Sequence, residues 1–147
     1  METDTKICRT PDDTFAFGEG VGEALAAGDV ILLTGGLGAG KTLLTKGIMN
    51  TLGYDIDEVT SPSFTLVNLY KTADLDVYHI DLWRLDGGND AATAVGLGEI
   101  LENEKAVTII EWADRLGDIV FSNRTVTVTL VGDGDEPRQI AISRECR

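Results

Sequence analysis

Apolar residues in this chain come in two kinds of run, and each kind predicts an element. Val30-Ile31-Leu32-Leu33-Thr34 is apolar almost throughout, as a strand buried on both faces of a parallel sheet would be. Ala106 to Glu111 is a second such run and ends in an acid. From Lys41 to Leu52 the spacing changes. Leu44, Ile48 and Leu52 fall on one face of a helix that Gly53 would stop. Upstream, Thr10-Pro11-Asp12-Asp13 has the grammar of a helix start. Thr10 can cap, Pro11 suits the first helical position and Asp13 closes a capping box. That helix is predicted to run to about Ala27 and stop at Gly28, with Gly18, Gly20 and Gly22 weakening its interior. Asp55 to Ser63 reads as a loop. Phe64 to Tyr70 and Val77 to Asp81 read as strands of an antiparallel hairpin, joined by a short polar segment. Asp90 to Glu102 is predicted as a helix. Arg124 to Val131 and Arg138 to Ser143 alternate in β fashion around the turn-rich stretch from Gly132 to Pro137. No repeat or linker divides the chain, so residues 1–147 are predicted to form one domain.

The loop between the first apolar run and its helix carries the strongest chemical signal. Gly35-Gly36-Leu37-Gly38-Ala39-Gly40-Lys41-Thr42 satisfies Gly-x-x-x-x-Gly-Lys-[Ser/Thr] in the strand-to-helix setting that this phosphate-binding motif requires. Glycines let the backbone curl and aim N–H groups at phosphate oxygens, and the helix adds its positive N-terminal end. Gly35, Gly38, Ala39, Gly40, Lys41, Thr42 and Leu43 are therefore the expected nucleotide-binding residues. Lys41 would reach the β- and γ-phosphates, and the Thr42 hydroxyl would ligate Mg²⁺. ATP or GTP with Mg²⁺ is the expected ligand.

Such a site also needs a carboxylate at a strand end. Asp81 ends Val77-Tyr78-His79-Ile80-Asp81, and Glu111 ends Val107-Thr108-Ile109-Ile110-Glu111. The more uniformly apolar strand of Glu111 makes it the better candidate for a place beside the phosphate-loop strand. Ser61-Pro62-Ser63 offers hydroxyls where a γ-phosphate sensor could sit. His79, the only histidine, reads as a hydrogen-bonded structural residue before a general base. Trp83 and Trp112 read as core or rim packing before base stacking.

Net charge is −13, from 25 acids and 12 scattered bases. That argues against unaided nucleic-acid binding, which needs clustered Lys and Arg. The acidity reads as a solvated surface, with a docking face for a basic partner as the sharper alternative. No apolar run approaches the roughly 20 residues of a membrane helix, and the acidic start, Met1-Glu2-Thr3-Asp4-Thr5, does not read as a signal peptide. Cys8 and Cys146 lack metal-ligand spacing and are expected as free thiols in a reducing cytoplasm.

These pieces together resemble the TsaE (YjeE) family, small bacterial ATPases of tRNA threonylcarbamoyladenosine biosynthesis. The resemblance runs from Thr10 to about Ser143. It rests on Leu37 to Thr42, on Ser61-Pro62-Ser63-Phe64-Thr65-Leu66-Val67, on Tyr78-His79-Ile80-Asp81-Leu82-Trp83-Arg84-Leu85 and on Ile110-Glu111-Trp112-Ala113. It implies an α/β, P-loop three-layer sandwich: a mixed central sheet with parallel core strands and antiparallel hairpins, and helices on both faces. It implies that Thr42 and Glu111 hold Mg²⁺, that Asp81 takes the Walker-B-like place, and that Ser63 stands for the switch threonine. Lys41, Asp81 and Glu111 would be the catalytic set. Trp112, Thr10 and Asp13 would neighbour the adenine. The implied partners are the TsaD and TsaB subunits, with tRNA met only through them. ATP hydrolysis would reset that complex in the cytoplasm. Gly36 stands where the family usually has an acid, Ser63 where it has Thr, Leu69 where Glu is common and Trp83 where it has Tyr.

Two other readings stay open. A small-molecule kinase of the P-loop class would gather arginines around the transferred phosphoryl group, and only Arg84 and Arg115 lie near these motifs. A nucleotide switch with negligible hydrolysis would use the same loop.

Overall fold

The computed structural model describes residues 2–36, 39–62, 65–83, 85, 91–116, 119, 121–132 and 136–145, the side chain of Glu2 aside. Gly38 and Ser63, both expected at the site, lie outside them, as do Leu37, Phe64, Arg84 and Cys146.

The strands are β1 (Glu2–Cys8), β2 (Val30–Gly35), β3 (Val67–Lys71), β4 (Asp76–Asp81), β5 (Ala106–Glu111), β6 (Thr125–Val131) and β7 (Arg138–Glu145). They form one sheet in the order β1-β7-β6-β2-β5-β4-β3. β2 lies between β6 and β5 and runs parallel to both, and β4 runs parallel to β5. The outer pairs β3–β4, β6–β7 and β1–β7 are antiparallel. Thus the two apolar runs are adjacent central strands, and the predicted hairpins flank them.

Helices α1 (Pro11–Glu23) and α2 (Lys41–Thr51) cover one face. There Val21, Leu44, Ile48 and Met49 pack on Ile31, Leu33, Val107, Ile109 and Val128. The short helices α3 (Ala91–Val95) and α4 (Leu97–Leu101) cover the other. Ala91, Leu97 and Ile100 there meet Val30, Ile80 and Ile110. Alternate residues of β2 thus enter opposite cores, the period-2 geometry of a two-sided strand. Among the described residues no helix is long and apolar enough to cross a membrane.

Gly18 of α1 and Gly47 of α2 have a packing role. A Cβ on Gly18 would sit 2.2 Å from the Leu44 carbonyl oxygen, and one on Gly47 2.2 Å from that of Phe15. α1 and α2 therefore touch backbone to backbone, closer than any side chain allows.

Several boundaries moved for tertiary reasons. α1 stops at Glu23, short of the expected Ala27. The Ala24 and Leu25 amides close a last tight turn on the Val21 and Gly22 carbonyls. Beyond it Arg124 donates to the Ala24 carbonyl at 2.6 Å and Asp29 accepts from the Ala26 amide at 2.8 Å, so side chains take over from the helix there. The Thr10 hydroxyl accepts from the Asp13 amide as a cap should, but the Asp13 carboxylate accepts from the Arg9 amide, one residue before the cap. β3 begins only at Val67, since Leu66 adopts a left-handed φ of +68°. The predicted 90–102 helix divides at Gly96, also left-handed at +68°. β1 has no counterpart among the predicted elements. It is a polar edge strand held by its ladder to β7, and it lacks the apolar alternation by which strands are read.

Candidate functional site

The chain places its candidate site residues at the C-terminal ends of three neighbouring strands, where open α/β sheets bind ligands. In register, Leu33 of β2 faces Glu111 of β5, and Glu111 faces Asp81 of β4. The two candidate acids are thus side by side on adjacent parallel strands, with Glu111 next to the phosphate-loop strand. Here the chain leaves β2, turns through the loop and enters α2. Gly35 (φ +149°) has no room for a side chain, because a Cβ would lie 2.7 Å from the Leu130 carbonyl oxygen. Gly40 begins α2 at a left-handed φ of +103°. A Cβ at Gly36, in contrast, would meet nothing within 4 Å.

Gly36, Ala39, Gly40, Lys41, Thr42 and Leu43 line a cavity of about 400 Å³ together with Ser61, Asp81, Trp83, Glu111 and Trp112. Lys41 is only 6% exposed. Its ammonium donates to the Gly35 carbonyl at 2.6 Å and to that of Gly36 at 3.1 Å. It also lies 4.1 Å from the centre of the Trp112 ring, a cation–π contact. Burial pushes the Lys41 ammonium below the usual lysine range, while Glu111, Asp81 and Asp114 act the other way.

Both carboxylates are buried and anchored. Glu111 Oε2 accepts from His79 Nε2 at 2.5 Å, and the Tyr70 hydroxyl lies 3.1 Å from His79 Nδ1. His79 is fully buried and does not line the cavity. It is the structural histidine expected, with the added task of orienting Glu111. Asp81 Oδ1 accepts from the Trp83 amide at 2.8 Å, and Oδ2 from the Ser61 hydroxyl at 3.1 Å. These are hard oxygen donors facing one cavity, a set that suits Mg²⁺. Among the described residues no group of three or more His, Cys, Asp or Glu could hold a metal by itself.

Trp112 follows Glu111 with a left-handed φ of +58°. Such a backbone costs a bulky residue on the order of 1–3 kcal/mol and recurs at functional sites. The strained turn lays its ring over Lys41 and against Trp83, with ring centres 4.6 Å apart. The Arg115 guanidinium stands 5.9 Å from the Trp83 ring and 5.7 Å from that of Trp112, and Nη1 donates to the Leu85 carbonyl at 2.8 Å.

A second cavity, of about 260 Å³, lies across the loop. It is lined by Cys8, Arg9, Thr10, Pro11, Thr14, Gly40, Leu43, Glu136 and Arg138. Cys8 is a buried free thiol whose pKa burial raises. The structure therefore separates the residues expected around adenine. Thr10 lines this cavity, Trp112 lines the other on the phosphate side, and Asp13 is used in the α1 cap and lines neither. Three features were not read as part of the site: the His79–Glu111 bond, the Ser61–Asp81 bond and Arg138 in the second cavity. For the first, a signal existed: His79 and Asp81 are two apart on a strand and so share a face. Arg138 carried none.

Known proteins resemble this one in sequence and fold. The family profile described as "Threonylcarbamoyl adenosine biosynthesis protein TsaE" matches residues 8–140. The tRNA threonylcarbamoyladenosine biosynthesis protein TsaE of Treponema pallidum (strain Nichols) is 36% identical over 137 residues, 93% of this chain and 98% of that protein. Its namesake from Bacillus subtilis (strain 168) is 32% identical over 133 residues, 90% of this chain and 80% of that one. The crystal structure of Bacillus subtilis YdiB matches with a TM-score of 0.75 at 28% identity, covering 96% of this chain and 84% of that one.

Proposed function

This chain belongs to the TsaE family, and from that premise we propose that it is an ATPase serving formation of threonylcarbamoyladenosine in tRNA. It binds ATP with Mg²⁺, hydrolyses it and thereby resets a complex of TsaD and TsaB between turnovers. It meets tRNA only through that complex and works in the cytoplasm. The observation that carries this reading is the cavity in which Lys41, Thr42, Asp81 and Glu111 meet the phosphate loop.

The loop amides and the start of α2 receive the phosphates. Lys41 leaves the Gly35 and Gly36 carbonyls for the β- and γ-phosphates. That exchange relieves the cost of burying an ammonium, because an anion is a better partner than a carbonyl. Thr42 and Glu111 would hold Mg²⁺, which supplies charge neutralisation on the phosphate oxygens. Asp81, fixed by Ser61 and the Trp83 amide, takes the Walker-B-like place beside Glu111. Ser61 couples the segment after α2 to that acid, as expected of a γ-phosphate sensor.

The kinase reading is weaker. Among the described residues no arginine lines the Lys41 cavity, and Arg115 is engaged with Leu85 and the tryptophan pair. The test is ATP turnover by the chain alone and with TsaB and TsaD, for the wild type and for Lys41→Ala and Glu111→Ala. Hydrolysis that rises with the partners and is lost in both variants is expected. Wild-type turnover by Glu111→Ala would overturn the metal assignment. Turnover that requires a phosphoryl acceptor would establish the kinase, and ATP binding without hydrolysis under any condition would establish the switch.

A further inference from the structure

β6 runs parallel to β2, so the β6–β7 hairpin turns at the same end of the sheet as the phosphate loop. Arg138, the first residue of β7, reaches that loop. Its Nε donates to the Ala39 carbonyl at 3.2 Å, and its Nη1 donates to the Glu136 carbonyl. The hairpin is shaped for this approach. Gly132 is left-handed at φ +122°, and a Cβ there would lie 2.7 Å from the Pro137 carbonyl oxygen and 3.3 Å from Arg138 Cδ.

The Ala39 carbonyl shares a peptide bond with the Gly40 nitrogen. In a trans peptide the C=O and N–H point in opposite directions, so the Arg138 bond turns the Gly40 N–H away from the hairpin. Gly40 lines both cavities, the Arg138 one and the Lys41 one. With φ at +103° and no side chain, Gly40 has little of its own to hold that orientation.

We propose that Arg138 is a positioning residue of the phosphate loop: by holding the Ala39 carbonyl it presents the Gly40 N–H to the phosphates. This rests on the nucleotide reading above. It concerns the hydrogen bond rather than the charge, and the phosphates rather than the nucleoside, so both distinctions are testable.

Arg138→Met keeps the stem and removes every donor. Arg138→Gln removes the charge but puts an amide N–H where Nε stood. Affinities for MgATP and for magnesium tripolyphosphate are measured by calorimetry, with thermal unfolding of the nucleotide-free proteins as a fold control. Arg138→Met should weaken both ligands by the same factor, about tenfold, as for one lost charge-assisted bond. Arg138→Gln should stay within about threefold of wild type. Unchanged affinity in Arg138→Met would overturn the proposal. So would a Gln variant as weak as Met, which would make the charge the cause, or a loss confined to MgATP, which would make Arg138 a nucleoside contact. If Arg138→Met does not fold, Gly132→Ala carries the same expectation, because it displaces Arg138 without removing it. Wild-type protein that binds neither ligand would overturn the nucleotide reading itself.

Discussion

His79 Nε2 and Glu111 Oε2 meet at 2.5 Å inside the sheet, and both side chains are almost wholly buried. The carboxylate is thus aimed from behind by a residue outside the cavity. Replacing His79 by Phe leaves that oxygen buried without its donor, at a cost of about 1–3 kcal/mol. Loss of such a supporting bond lowers metal affinity or activity by roughly 10–100-fold. Urea denaturation and Mg²⁺-dependent hydrolysis should both register the change. A wild-type Mg²⁺ dependence in His79→Phe would show that Glu111 needs no such support.

The helix glycines should divide by sign. Gly18→Ala and Gly47→Ala each put a methyl 2.2 Å from a backbone carbonyl oxygen, so helix separation must increase, at about 1–3 kcal/mol. Gly20 lies in the same helix as Gly18 with nothing within 4 Å of its Cβ. Gly20→Ala should stabilise by about 0.4–1 kcal/mol, through the unfolded chain. Opposite shifts in denaturation midpoint are expected. Equal shifts at Gly18 and Gly20 would mean that α1 and α2 are further apart than described.

Lys41 should impose a pH dependence on nucleotide binding. Burial lowers its pKa, so the ammonium that phosphates need is lost at a lower pH than for an ordinary lysine. ATP affinity should fall as pH rises through that point, with proton uptake on binding. The stability of the nucleotide-free fold has the opposite sign. Between the lowered folded pKa and the unfolded one the unfolded chain binds more protons, so stability rises with pH there. Lys41→Arg, whose charge does not titrate, should abolish the alkaline fall. Persistence of that fall in the Arg variant would assign it to another group.

Gly36 faces open space. Gly36→Asp should therefore leave folding stability within about 0.5 kcal/mol. The new carboxylate would act on bound phosphates through solvent, at about 1 kcal/mol, or roughly fivefold in ATP affinity. A loss of folding would contradict the open surroundings of Gly36, and a change far beyond tenfold would show a direct contact.

Much of this protein could be read along the chain. The apolar runs 30–34 and 106–111, the two hairpins and the phosphate loop depend on neighbours in sequence: burial on both faces needs an unbroken apolar run, and a loop that wraps phosphate needs glycine at fixed spacings. The order of four motifs was enough to recognise the TsaE family, and the fold follows the expected three layers. What could not be read depends on residues that meet only after folding. β1 is a strand because β7 offers its edge, and just beyond α1 the Ala24 carbonyl and the Ala26 amide are held by the distant Arg124 and by Asp29. Gly18 and Gly22, weaknesses in an isolated helix, are required where the backbone of α2 comes within touching distance, whereas Gly20 faces open space. The separation of Thr10 from Trp112, the hold of His79 on Glu111 and the reach of Arg138 to Ala39 join residues 32 to about a hundred positions apart. Local sequence determined which groups are candidates for the site. Only strand order and register decided which of them face each other, because a hydrogen bond is set by distance in space and leaves no period along the chain.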